Sequence, residues 1–139
     1  MSIICHNPLG ECHYVISSYA CAIELEDRVI VTGGVSRARV HMYTEEGWVM
    51  DLPDLVQGRQ AHACGYFVND AGHRVHLVTG GYADDFLSST EILYNGDPAW
   101  TTAGLGHLPA PANGLRGVSI DNNILVTGDQ IIICKSSSQ

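Results

Sequence analysis

The stretch "VIVTGG", residues 29–34, decides how this chain is read, because it returns. "HLVTGG" occupies 76–81 and "ILVTGD" occupies 124–129. Each is a short run rich in β-branched residues, which fit a half-buried pleated surface, ended by glycine, which lets the backbone turn sharply. Gly33 and Gly80 stand 47 positions apart, and Gly80 and Gly128 stand 48 apart. Self-similarity at a fixed period of this size is the mark of a repeat architecture.

Outward from these phrases the chain reads as short strands divided by turn residues, with no apolar stripe of helical period. "YACAIEL" (19–25) leads into "RVIVT" (28–32), "HACGYFV" (62–68) into "RVHLVT" (74–79), and "RGVSI" (116–120) into "ILVT" (124–127). A second kind of hairpin follows: "RVHMYT" (39–44) into "WVMDL" (48–52), and "TEILY" (90–94) through Asn95-Gly96 into "AWTTAGL" (99–105). Asn-Gly tolerates the positive φ angles of a tight hairpin turn. Near the start, "SIIC" and "CHYVI" read as one more pair. The last unit stops at "QIIICK".

Landmarks recur in the same order: Gly33-Gly34, Tyr43, Trp48, Leu52, Leu55, then Arg59 and His62; and Gly80-Gly81, Tyr94, Trp100, Leu105, Leu108. A leading alignment puts Arg116 opposite His62 and Asp129 opposite the second glycine. This series, over roughly 18–134, resembles the kelch repeat. The resemblance implies an all-β propeller fragment with four-stranded antiparallel blades. It divides the chain into a partial blade (1–17), two repeats (18–57 and 58–111), and an incomplete repeat with a polar tail (112–139). It also gives Gly33, Gly34, Tyr43, Trp48, Arg59, His62, Gly80, Gly81, Tyr94 and Trp100 a structural part. The Tyr and Trp rings are expected to bury area between neighbouring sheets while each keeps a polar atom for hydrogen bonding. About three blades do not close a ring, so exposed sheet faces are expected, with self-association as one outcome.

Composition bounds the partners. The chain has 139 residues, a net charge of −8 and a single lysine, Lys135. The few arginines are scattered, whereas phosphate backbones and anionic membranes call for clustered positive charge. Neither nucleic acid nor membrane is expected as a partner. Five cysteines without a C-x-x-C pair, and no signal-peptide pattern, are read as free thiols in the cytoplasm.

Catalytic signals are weak. Cys5-His6 and Cys12-His13 carry zinc-ligand types, but at no common finger spacing. His41, His73, His76 and His107 lie on separate strands and turns. Ser17, Ser18, Ser88 and Ser89 sit in no nucleophile elbow. "GLGHL" (104–108) precedes no helix, and "VTGG" lacks the Lys of a phosphate loop. No enzyme, cofactor or metal is expected, although a remnant of a metal-dependent propeller oxidase stands as an alternative, as does a truncated repeat without independent function. The resemblance instead implies protein binding, as in the substrate-reading propellers of ubiquitin ligase adaptors, through loops between the second and third strands. Arg37 and Arg39 in one such loop, and Tyr82, Asp84, Asp85 and Phe86 in the next, are the candidates, because arginine and aromatics dominate binding hot spots.

Overall fold

The computed structural model describes residues 2–5, 12–15, 19–35, 37–44, 47–104, 106–128 and 131–135; of 2–5, 12–15, 48–51 and 131–135 it describes the backbone only. All of the described secondary structure is β. Strands β1 (Ser2–Cys5) and β2 (Cys12–Val15) form a hairpin. β3 (Cys21–Glu24), β4 (Arg28–Thr32), β5 (Val40–Thr44) and β6 (Gly47–Leu52) form a first four-stranded sheet in chain order. β7 (Ala63–Val68), β8 (Arg74–Thr79), β9 (Thr90–Tyr94) and β10 (Thr101–Thr102) form a second. β11 (Arg116–Ile120), β12 (Asn123–Thr127) and β13 (Ile131–Lys135) form a third, three-stranded sheet. Every pairing is antiparallel.

The turns follow from their residues. Asn69 folds its side-chain oxygen back onto the amides of Ala71 and His73, at 3.1 and 2.9 Å, and closes the β7–β8 hairpin. Asp121 and Asn122, both at positive φ (47° and 63°), make the two-residue link from β11 to β12. Asn95 and Gly96 turn β9 toward β10, which is far shorter than the 99–105 expected. Pro98 can donate no ladder hydrogen bond, and pairing starts only at Thr101.

Packing is sheet on sheet. Alternation turns Ile23, Leu25, Ile30 and Val40 of the first sheet toward Cys64, Val78 and Leu93 of the second, with Trp100 and Leu55 completing that core. The opposite face of the second sheet, through Ala63 and Leu77, meets Ile124 and Val126 of the third, with Leu108 and Leu115 between. Covered on both faces, β8 is buried continuously from Val75 to Thr79 instead of alternating. The outer face of the third sheet leaves Val118 and Ile120 about half exposed (47% and 50%).

Two expectations change. Cys21 of β3 and Cys64 of β7 form a disulfide between the first and second sheets, so these two are not free thiols. The tyrosine and tryptophan landmarks do not behave alike. Trp100 is buried, yet its indole N–H has no partner among the described residues. Tyr94 is 40% exposed, since it ends β9 where the sheet face runs out into the turn. Tyr43 is half-buried, and the Trp48 side chain lies outside the described residues.

Candidate functional site

The segment between the first two sheets, residues 53–62, organises the loop end of the molecule. Leu55 donates its amide to the Ala38 carbonyl at 2.7 Å, and Arg59 donates to the Arg37 carbonyl at 3.1 Å. Gly34 in turn donates to the Arg59 carbonyl at 3.0 Å. The next residue, Gln60, exchanges both backbone hydrogen bonds with Tyr82, at 3.0 and 2.9 Å. Two adjacent peptide units therefore fasten the β4–β5 loop and the β8–β9 loop side by side. The candidate residues Arg37, Arg39, Tyr82, Asp84, Asp85 and Phe86 all fall on these two loops. All six are solvent-exposed.

Within the β8–β9 loop, Tyr82 bridges to Phe86, and their rings meet edge to face with centroids 5.6 Å apart. The Asp85 carboxylate accepts the Phe86 amide at 2.7 Å, and the Asp85 carbonyl accepts the Ala83 amide at 3.0 Å. A loop this heavily bonded to itself presents its aromatic pair in a fixed arrangement, which lowers the entropy lost when a partner docks. Asp84 and Asp85 make that rim acidic, while Arg37 and Arg39 make the adjoining loop basic.

Beneath the loops is a buried charge network. The Arg59 and Glu91 side chains are 0% and 1% exposed and meet at 2.7 Å. Arg59 also donates to the carbonyls of Gly80 (3.1 Å) and Ser89 (2.9 Å) and to the Ser89 hydroxyl (3.2 Å). Glu91 accepts the amides of Val56 (2.6 Å) and Gln57 (3.1 Å). The pair thus ties the linker to both ends of the β8–β9 loop. Most lone pairs and protons are used, with the Arg59 Nε left without a partner among the described residues; such pairing is the condition for a buried ion pair to survive its desolvation cost.

His62 completes the layer. Its Nε2 lies 2.8 Å from the Thr32 hydroxyl, and its Nδ1 has no partner among the described residues. Burial, and then the neighbouring Arg59 charge, push its pKa down to about 3, so the ring is neutral near pH 7. Gly33 and Gly81 flank it from two sheets. Both have positive φ, 66° and 95°. A Cβ on Gly81 would stand 2.8 Å from that of His62, and one on Gly33 would meet the Arg59 carbonyl. The repeated glycines are therefore required by the close passage of this linker.

The second junction is built differently. Thr32 and Thr79 close β4 and β8 opposite Cys21 and Ala63, and Thr127 closes β12 opposite Arg116. By that register the counterpart of His62 is Leu115, not Arg116 as the sequence alignment has it. The Gly81 amide donates to Ala112 at 2.7 Å as Gly34 donates to Arg59, so Ala112 is the counterpart of Arg59. Glu91 pairs with Val78, and Ile132 pairs with Val126, in matching positions. Arg59, His62 and Glu91 at the first junction become Ala112, Leu115 and Ile132 at the second.

His76 stands on the first-sheet side of β8. Burial, then the Arg74 charge, lower its pKa to about 4, weakly opposed by the Leu93 backbone. Neither ring nitrogen has a hydrogen-bond partner among the described residues. No three His, Cys, Asp or Glu side chains converge to hold a metal among the described residues. Cys5 and Cys12 are directly opposite in backbone register, but their side chains, like His6, lie outside the described residues. Glu91 and the Cys21–Cys64 bond carried no motif. The one signal for Glu91 was a charged residue at an inward position of "TEILY", in register with Leu93.

No family model matches the chain, and no curated protein matches it. Among solved structures, that of YjhT is similar, with a TM-score of 0.62 and 14% identity, over 82% of this chain. This chain spans about a third (34%) of the length of that one. At this identity the likeness speaks to the all-β fold alone. No described helix is long and apolar enough to cross a membrane.

Proposed function

We propose that the chain is a piece of a kelch-type propeller that binds another protein and does no catalysis. Three sheets stacked in chain order, each with a Thr-Gly step at the end of its second strand, support the propeller part. The binding part is carried by one observation: Tyr82 and Phe86, 37% and 52% exposed, form a braced aromatic pair beside Asp84 and Asp85. Aromatic faces next to carboxylates attract a Lys or Arg side chain, through both ring quadrupole and charge. The partner of this reading is a protein segment that presents a basic residue beside an apolar one, as a substrate reader of the ligase-adaptor kind would take. Nucleic acid and membrane surfaces are disfavoured by the net charge of −8.

The test is selection from a displayed random peptide library against the immobilised protein. Enriched peptides carry Lys or Arg next to an aromatic or aliphatic residue, and lose binding to Tyr82→Ser and Phe86→Ser. Peptides that bind both variants as well as the parent refute the reading. Self-association is a second reading, supported by the half-exposed Val118 and Ile120 on the outer face of the third sheet. A cytoplasmic location belongs to the proposal only if Cys21 and Cys64 are reduced there, since disulfides persist mainly in oxidising compartments. Thiol counting on protein recovered without reductant decides that point.

A further inference from the structure

A cleft of about 280 Å³ lies between the first and second sheets, lined partly by the β9–β10 turn. Leu25, Ile30, Met42 and Leu93 give it apolar walls. Arg28 and Arg74 also line it, and each has donors that the protein itself uses poorly. Arg28 is held by Asp27 through two contacts of 3.0 and 2.9 Å, but among the described residues its Nη1 faces only the Met42 thioether at 3.7 Å. A thioether is a weak acceptor. Arg74 lies over the Tyr66 ring at 5.8 Å and has no carboxylate within ion-pair distance among the described residues. His76 also lines the cleft, but it is 2% exposed and its ring nitrogens are shut off from solvent, without a partner among the described residues. Two under-used guanidinium groups on one apolar cleft are what a carboxylate group would satisfy.

We propose that this cleft binds a small monocarboxylate with a short apolar body, its charge taken by Arg28 and Arg74. The apolar walls call for an apolar body behind the charged group. The volume sits at the low end of ligand pockets, which keeps the ligand small. A dianion fits poorly, because Asp27 already offsets Arg28 and the acidic residue Asp97 also lines the cleft. The site is independent of the Tyr82–Phe86 loop.

The experiment is titration of the isotopically labelled protein with straight-chain carboxylates from acetate to octanoate, followed by two-dimensional amide and arginine side-chain NMR. Saturable shifts at Arg28, Arg74, His76 and Leu93 are expected, with a Kd of about 1 mM or tighter for hexanoate. Hexanamide, of the same shape without the charge, binds at least about tenfold more weakly, and so does hexanoate to Arg74→Met. Arg116→Met, on the exposed strand β11, leaves the affinity unchanged. Absence of a saturable shift across the whole series overturns the proposal. So does equal affinity for hexanamide on the parent protein, or shifts confined to residues 82–86.

Discussion

Replacing Glu91 by leucine tests the buried layer most directly. The change removes three acceptor contacts at once, those to Arg59 and to the amides of Val56 and Gln57. The amides are the smaller loss, since each is a neutral donor in a part-buried position. The guanidinium is different: its side chain is 0% exposed and keeps its charge without a counter-ion. Stranding one partner of a buried pair costs about 3–5 kcal/mol, a large share of the 5–15 kcal/mol that holds a typical domain. With a urea slope of about 2 kcal/mol per molar, the unfolding midpoint drops by about 2 M. Removing both charges, as Arg59→Met with Glu91→Leu, restores most of the loss, because an apolar pair of similar volume serves as well. By backbone register, Ala112 and Ile132 hold the corresponding positions at the second junction. A double-mutant cycle by urea denaturation is expected to give a coupling of about 3 kcal/mol. A single-variant cost below about 1 kcal/mol, or a double variant as unstable as the two singles summed, refutes the reasoning.

Acid is expected to weaken the fold early. His62 and His76, held neutral at pKa values of about 3 and 4, ionise near 6.5 once unfolded, so their contribution is complete above pH 6.5 and lost as pH falls. With both groups acting between pH 6.5 and 4, stability drops by about 3 kcal/mol per pH unit, and His76→Phe halves that slope in urea titrations at pH 7, 6 and 5. The Cys21–Cys64 bond spans 43 positions, and its reduction lowers stability by about 4 kcal/mol; an unchanged urea midpoint in reductant contradicts this. Ala61 has a positive φ of 52° without being glycine, so Ala61→Gly raises stability by about 1 kcal/mol, readable as a higher Tm.

What the sequence made legible was local. Period-two runs and their turn residues located the strands, because alternation and turn chemistry are properties of a few neighbouring residues. "RVIVT", "RVHLVT" and "RGVSI" coincide with β4, β8 and β11. What it hid depends on partners far along the chain. Glu91 meets Arg59 across 32 positions, and Cys21 meets Cys64 across 43. No spacing rule ties either pair. The alignment of Arg116 with His62 slipped by one because it followed residue type, whereas strand register is fixed by the ladder. For the loops, sequence named the exposed aromatics and charges, but not that Arg59 and Gln60 bring them side by side.

The contrast between the two junctions means that they need not yield together. Among the described residues, the two deeply buried histidines sit at the joint between the first and second sheets, whereas the joint between the second and third is closed by Leu108, Leu115, Ile124 and Val126. Mild acid therefore acts through buried histidines at one joint of the molecule. With Cys21 and Cys64 linked, the loosened half stays leashed to its neighbour and can reseat when the medium is neutralised.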